Sequence, residues 1–599
     1  MKVNSSSPYL TDLMDWAQQK TVTFVMTGVR SGPVNRGDGG KWYGPSGRFS
    51  SRSRTARKPG PAWTLPQDYI PSYWAGYHDR TAFYIRDFVH QAPGAQLLGY
   101  HEENYHMLRA FVTGACAEMD WYAPWALNFD GSIYYLDTPN HRRFVRELTS
   151  QYELVETIVR LYRLSGDPRY IEPEMLTFAA RILGPFTRAH DGIVLDQKNG
   201  IPEGRGNIWL GSASYNESGV LLAESGDCIA ALYAALRAYG GLCGTLGRAQ
   251  EAETYLRRAE ELRDSFNQLW STPPDGDGCG YVFGVGLNGK KYWKWEKSAR
   301  GITGAETCFF MPMKLLTEPG ARNDALLDYI DRMDSDAHTA SENIESFTYL
   351  PQVFFPYHQA ERGWKWIKYI GDRRFQPHVR ASQGLNEDYP ELSFTAVSAV
   401  VEGLLGLKAD VPAGAVSTCP CLPQEVPDLA VHALRLGPMA LDITLPDGRT
   451  AELCNHAGRA VTWHCAFAGD SGHLAVNGTE RPAEAETVNG GAAPRRIRRG
   501  SAGGDGAHPR TVIEIAWGDC HEMERTHACR CTGICLPVRH GCLCAHGFTG
   551  EQAAGRSAGD PGAAVGDLCS QPRGDERRRV RHGRLPAGDL CAERGLHLH

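Results

Sequence analysis

No stretch of the 599 residues approaches the roughly 20 apolar positions that a membrane-spanning helix requires. The opening MKVNSSSPYL lacks the apolar segment of a secretory signal. Charge of one sign is scarce too. There are 63 Lys and Arg against 69 Asp and Glu, a net charge of −6, so the basic excess of a nucleic-acid-binding surface is missing. Neither a membrane nor a nucleic acid is expected as partner, and the expected location is cytoplasmic. Three catalytic signatures are also missing. There is no HExxH zinc motif, no G-x-S-x-G run opens a strand-to-helix turn, and the glycine-rich GVGLNG lacks the ending of a phosphate loop.

The composition that remains, 42% hydrophobic and 10% aromatic, is that of an ordinary globular protein with length for a large core. Nine of the 17 cysteines are scattered between Cys116 and Cys465 in mostly apolar surroundings and read as reduced core residues. The other eight lie between Cys520 and Cys591. Residues 521–599 hold 11 Arg, seven Cys and seven His but no Lys, Tyr, Trp or Asn, and Phe548 is their single Phe, Trp or Tyr. CRCTGIC and CLC fit no zinc-ligand spacing, so this tail reads as disordered or out of frame rather than metal-binding. Residues 30–62, rich in Gly, Ser, Arg and Pro, read as an exposed loop.

Between these segments helical patterns dominate. About twelve can be counted, from YLTDLMDWAQQKTVTFVMTG at 9–28 to ELSFTAVSAVVEGLLGL. SYWAGYHDRTAFYIRDFVHQ is read as the second, and Gly166 closes another as a C-cap. Leu256, Ala259, Leu262 and Phe266 form one apolar stripe. After Leu407 the pattern changes to alternation: LAVHALRLG, ALDITLP, AVTWHCAF and TVIEIAW read as strands separated by turns.

Three loops concentrate carboxylates and aromatics. Residues 191–218 offer Asp191, Asp196, Glu203, Trp209 and Glu217; TASENIESFTYL offers Glu342 and Glu345; RASQGLNEDYPELS offers Arg380, Gln383, Glu387, Asp388 and Glu391. Paired carboxylates are what glycoside hydrolysis needs, one to protonate the leaving oxygen and one to activate water or attack the sugar. Aromatic faces such as Trp74 and Trp209 suit sugar rings. Each residue also has a plainer reading. Glu391 and Glu342 stand where a helix N-terminus favours an acid. The two WKW runs, at 293–295 and 364–366, read more as packing than as sugar platforms. Asp79–Arg80 and Arg86–Asp87 are either surface charges or substrate contacts.

The loops, the helix pairs and the stretch NEDYPELSFTAVSAVVEGLLGL resemble the six-hairpin glycosidase superfamily, in particular its glucoamylase-like clan. VSTCPCLPQEVPDLAVHALRLG is similar to the start of the C-terminal β-domain of such enzymes, GIPEGRGNIW to a mid-barrel loop, and YHDRTAFYIRDF to the early helix that sets an Asp beside the sugar. The resemblance implies a mainly α fold: an (α/α)6 toroid over 1–410, a small β-sandwich over 411–518, and the tail from 519. It implies a hydrolase of an oligosaccharide or glycoconjugate, inverting by preference, that needs neither metal nor cofactor. The acid would come from the loop after the fifth helix and the base from the loop before the twelfth. That gives Glu203 and Asp388, with Glu217 and Glu387 as substitutes. Trp74, Arg86, Asp87, Trp209, Glu345 and Arg380 would bind the carbohydrate. A phosphorylase, in which Arg380, Ser382 and Gln383 hold phosphate, a polysaccharide lyase, and a non-catalytic carbohydrate-binding protein are the alternatives.

Overall fold

The computed structural model describes residues 1–34, 67–77, 80–134, 147–206, 211–216, 219–272, 278–298, 301–468, 473–482, 484–487, 496–502 and 510–515. All lie within one compact unit, Met1–Cys529. The Gly/Ser/Arg-rich loop beyond residue 34 and the Cys/Arg-rich tail fall outside the described residues.

Among them, α-helices of five residues or more number twelve: α1 (Pro8–Val22), α2 (Ile85–Leu98), α3 (His101–Gly114), α4 (Thr149–Ser165), α5 (Pro173–Arg181), α6 (Gly226–Thr245), α7 (Ala249–Leu269), α8 (Ala305–Met313), α9 (Ala321–Ser335), α10 (Leu350–Phe354), α11 (Ala360–Arg373) and α12 (Pro390–Ser398). The even-numbered helices form the inner layer. Each packs on the next, α10 on the Ala399–Leu404 continuation of α12, and α12 packs back on α2, so the ring closes. Their sequences say why. α4, α6 and α8 are buried on nearly every side, whereas α7 buries only Ala252, Ala259, Phe266 and Asn267 on one stripe. Leu256 of α7 keeps 39% exposure at the edge of that stripe, where it covers Gly240 of α6.

Closure is a matter of backbone approach. A Cβ on Gly94 of α2 would lie 2.0 Å from the Phe394 carbonyl oxygen of α12, so only glycine lets the first and last inner helices meet. Helix ends follow local chemistry. Pro8, Pro173 and Pro390 sit at first positions, and α4 ends on Gly166 at φ +67°, the expected cap.

Two sequence-predicted helices are shorter than their patterns. α1 stops at Val22, within the β-branched run Thr21–Thr23, and Val25 bridges Tyr73 instead. The second predicted helix begins only at Ile85, because Ala82–Tyr84 is a strand paired with Ala126–Asn128.

The β-rich region has two sheets. One is antiparallel with seven strands, in the order Lys2–Asn4, Leu429–Leu436, Met439–Asp447, Thr450–Asn455, Arg510–Ile515, His473–Val476, Thr479–Pro482. The other has five: Glu484–Thr487, Arg496–Ala502, Thr462–Ala468, Ala415–Thr418, Lys408–Asp410. Val431, Ile443 and Leu453 of the first share an apolar core with Val416, Trp463 and Phe467 of the second, and with Val397 and Val400 at the end of the ring. A feature without a sequence signal is the strand Lys2–Asn4, which pairs Val3 with Val431. Among the described residues no helix is long and apolar enough to cross a membrane.

Candidate active site

The inner helices begin at one rim of the ring, and an acidic residue stands near each start: Asp87 (α2), Glu153 (α4), Asp227 (α6), Glu306 (α8), Glu345 (the turn before α10) and Glu391 (α12). Helix dipoles favour carboxylates there. Their crowding and burial do not, so cations and shared protons are needed to hold the group together.

Glu306 is matched by Arg86, whose Nη2 lies 3.2 Å from Glu306 Oε1 while Nη1 donates to the Tyr215 carbonyl at 2.9 Å. Ser346 Oγ donates to the same Glu306 oxygen at 2.9 Å. Glu153 is matched by Lys314 at 2.9 Å and also accepts from the Tyr215 hydroxyl. Glu345 accepts from the Tyr77 hydroxyl at 2.7 Å, and its other oxygen faces His378 Nε2 at 3.5 Å. The Arg380 amide donates to His378 Nδ1 at 2.9 Å, so in the neutral ring the proton sits on Nε2, toward Glu345. Burial works against the Glu345 charge, but the nearby His378 ring and the Tyr77 hydrogen bond more than offset it, holding this carboxyl below the ordinary range.

Asp87 and Glu391 have no such cation to themselves. Tyr389 joins them: its hydroxyl reaches Asp87 Oδ1 and lies 3.1 Å from Glu391 Oε2. A phenol has one proton to donate, so both carboxyls are satisfied only if one of them carries a proton and donates it back. Burial, followed by the Glu391 charge, pushes Asp87 up to about 7. Burial likewise pushes Glu391 up to about 8. Glu391 also contacts His90 Nδ1 and Thr348 Oγ1, and the His90 ring stacks on Tyr349 at 3.9 Å. Burial lowers His90 to about 3, which keeps it neutral. Asp87 and Arg86 retain some exposure while Glu391 is 1% exposed, so Asp87 is the member of this trio that meets solvent.

The linkage to stability has a definite sign. Asp87 and Glu391 hold protons in the folded chain that an unfolded chain releases near pH 4, so their contribution is present at low pH and lost as pH rises through about 7 and 8. His90 acts oppositely, between about pH 3 and its ordinary value of 6.5. Above pH 6.5 the carboxyls govern. Urea unfolding is expected to show stability falling by roughly 1–2 kcal/mol between pH 6.5 and 8. The fall should be smaller in Asp87→Asn.

The residues expected from sequence are placed as follows. Asp87, Arg86, Glu345 and Arg380 come together at the rim, the Arg380 guanidinium lying 4.3 Å over the Tyr77 ring. Trp74 is partly buried against Phe129, with ring centroids 5.6 Å apart. Glu203 is fully buried. Its Oε2 accepts from the Val194 and Leu195 amides, and its Oε1 is buried without a hydrogen bond. Asp388 accepts from Lys20 Nζ at 2.9 Å and from the Leu385 amide at 3.1 Å. Glu387 accepts from Trp16 Nε1 at 2.9 Å. Both are thus held by outer helix α1. Glu342 is exposed near Lys297. Trp209, Glu217 and Asp79 fall outside the described residues. Of the WKW runs, Trp364, Trp366 and Trp295 are core and Trp293 is 43% exposed. From sequence Tyr77 reads only as one of the aromatic platforms for a sugar ring, and His90, Tyr389 and His378 do not stand out as catalytic. The one available signal was Tyr389 standing two residues before Glu391 at a helix start.

No known protein family matches the chain by sequence, and no curated protein does. Solved structures similar to it include the GH78 family rhamnosidase of Bacillus sp. GL1, with 12% identity over 75% of this chain and 40% of that one and a TM-score of 0.48. The α-L-rhamnosidase of Dictyoglumus thermophilum is similar at 9% identity, over 76% of this chain and 48% of that one, with a TM-score of 0.43. The Streptomyces avermitilis α-L-rhamnosidase complexed with L-rhamnose gives 11%, 86% and 42%, with a TM-score of 0.44. The chain therefore spans less than half the length of these enzymes. Likenesses of this size assign it neither a substrate nor residue roles.

Proposed function

We propose that the chain is a glycoside hydrolase using two carboxyl groups on the rim of the helical ring. The observation that supports this best is the contrast between Asp87, pushed up to about 7, and Glu345, held ionised. Neighbouring carboxyls driven apart in this way divide into an acid and a base. Asp87 protonates the leaving oxygen, and Tyr389 and Glu391 hold that proton on it beforehand. Glu345 is the ionised partner that activates water or attacks the sugar carbon. Arg86, fixed by Glu306 and the Tyr215 carbonyl, and Arg380 with Tyr77 bind the sugar. The chemistry needs no metal or cofactor.

A second assignment keeps Glu203 as acid and Asp388 as base. The buried Glu203 Oε1, which has no hydrogen-bond partner, is the observation that favours it.

The test is turnover of a panel of 4-nitrophenyl glycosides and natural oligosaccharides, with and without inorganic phosphate. Phosphate-independent release of sugar is expected. A strict phosphate requirement would make the chain a phosphorylase. An ultraviolet-absorbing unsaturated product would make it a lyase. Sugar binding by calorimetry without turnover would make it a binding protein. The anomer released then separates inversion, the expected outcome, from retention.

A further inference from the structure

A cavity of about 420 Å³ lies between α4, α8, α10, α12 and the five-stranded sheet, and two of its lining residues, Lys314 and Gln352, reach Glu153 and His90 of the rim. Cys419 and His358 both line it, with the thiol sulfur 3.3 Å from His358 Nε2. Cys419 is partly exposed, unlike the buried Cys421 and Cys465 nearby. Its position is fixed by backbone: the Cys419 amide donates to the Gly406 carbonyl at 3.2 Å, and the Cys421 amide to Leu404 at 2.9 Å. A Cβ on Gly406, which has φ +66°, would lie 2.0 Å from the Cys419 carbonyl, so the end of the ring is shaped to admit this segment. His358 is itself in the left-handed region, at φ +54°, capping the turn Phe355–Tyr357.

We propose that Cys419 and His358 form a nucleophilic thiol site that takes small zwitterionic disulfides. A nucleophile within hydrogen-bond reach of a base, facing a cavity, is the arrangement such chemistry needs. His358 accepts the thiol proton, and the thiolate attacks one sulfur of the disulfide. The S–S bond breaks, a mixed disulfide forms on Cys419, and the departing thiolate leaves with the proton from His358. No other oxidant is required. The cavity wall matches a ligand carrying both charges. It presents Arg160 beside Glu402, Lys314 beside Glu156, and also Lys408 and His464. These groups also face the pair and set the field in which the proton moves. The proposal does not rest on the hydrolase reading.

The test is alkylation of the full chain with iodoacetamide, followed by peptide mass spectrometry. Cys116 and Cys454, also partly exposed, act as internal references. An ordinary thiol is only about 1% ionised at pH 6.5 and loses about tenfold in rate per pH unit below its pKa. Cys419 is expected to react at least about tenfold faster than the references at pH 6.5 and to keep its rate between pH 6 and 8. His358→Asn should remove that advantage and leave Cys116 and Cys454 unchanged. L-cystine should load Cys419 as a mixed disulfide that dithiothreitol reverses. A Cys419 rate equal to the references, or one that falls tenfold per unit, overturns the nucleophile. Fast alkylation without loading by cystine overturns the ligand class.

Discussion

Asp87→Asn lowers kcat/KM on any glycoside the protein cleaves by about 100- to 10,000-fold, with little change in the unfolding midpoint at pH 6. The asparagine keeps the shape and can still accept from Tyr389, but it has no proton to give to a leaving oxygen. Substrates with good leaving groups, such as 4-nitrophenyl glycosides, should lose less than natural ones, because departure of the phenolate needs less protonation. In the unsubstituted protein the alkaline limb of the rate profile should follow Asp87, near pH 7. Comparable losses in Glu203→Gln and Asp388→Asn, with Asp87→Asn nearly unaffected, would transfer the assignment to that pair.

Lys314→Met is expected to cost about 3–5 kcal/mol, read as a large drop in the urea midpoint. Lys314 caps α8 with its ammonium 12% exposed, between Glu153 at 2.9 Å and Glu156 at 2.6 Å on α4. Burial opposes its charge, but the two glutamates more than compensate and raise it. Methionine leaves two carboxylates, Glu153 buried and Glu156 partly buried, without their cation. Adding Glu153→Gln and Glu156→Gln to the same variant should restore much of the loss, because most of it is unpaired charge rather than missing attraction. The effect should reach the rim, since Glu153 holds the Tyr215 hydroxyl and the Tyr215 carbonyl holds Arg86.

The order of the twelve helices was legible because each carries its own apolar face and its own stops, as at Gly166. Contacts that depend on which helices are neighbours were not. Glu391 reads from sequence as an acid at a helix start, and it stands at one. Its partners His90, Thr348 and Tyr389 become visible only once α12 is known to close against α2 and α10. For the same reason Glu387 and Asp388 read as free loop carboxylates, although Trp16 and Lys20 of α1 hold them. The three residues Lys2–Asn4 are too few to show any period, and their partner strand lies far along the chain.

That short strand bears on how the molecule is made. Lys2 pairs with His432, so its partner leaves the ribosome only after about 430 further residues. At about 5–20 residues per second, that is a wait of roughly 20–90 s. Through that interval Val3 and the apolar face of α1 have no finished sheet to cover them, and the ring cannot shut until Phe394 has been added. The early chain therefore carries apolar surface that stays uncovered until late in synthesis, and that surface is shielded only when the sheet is finished.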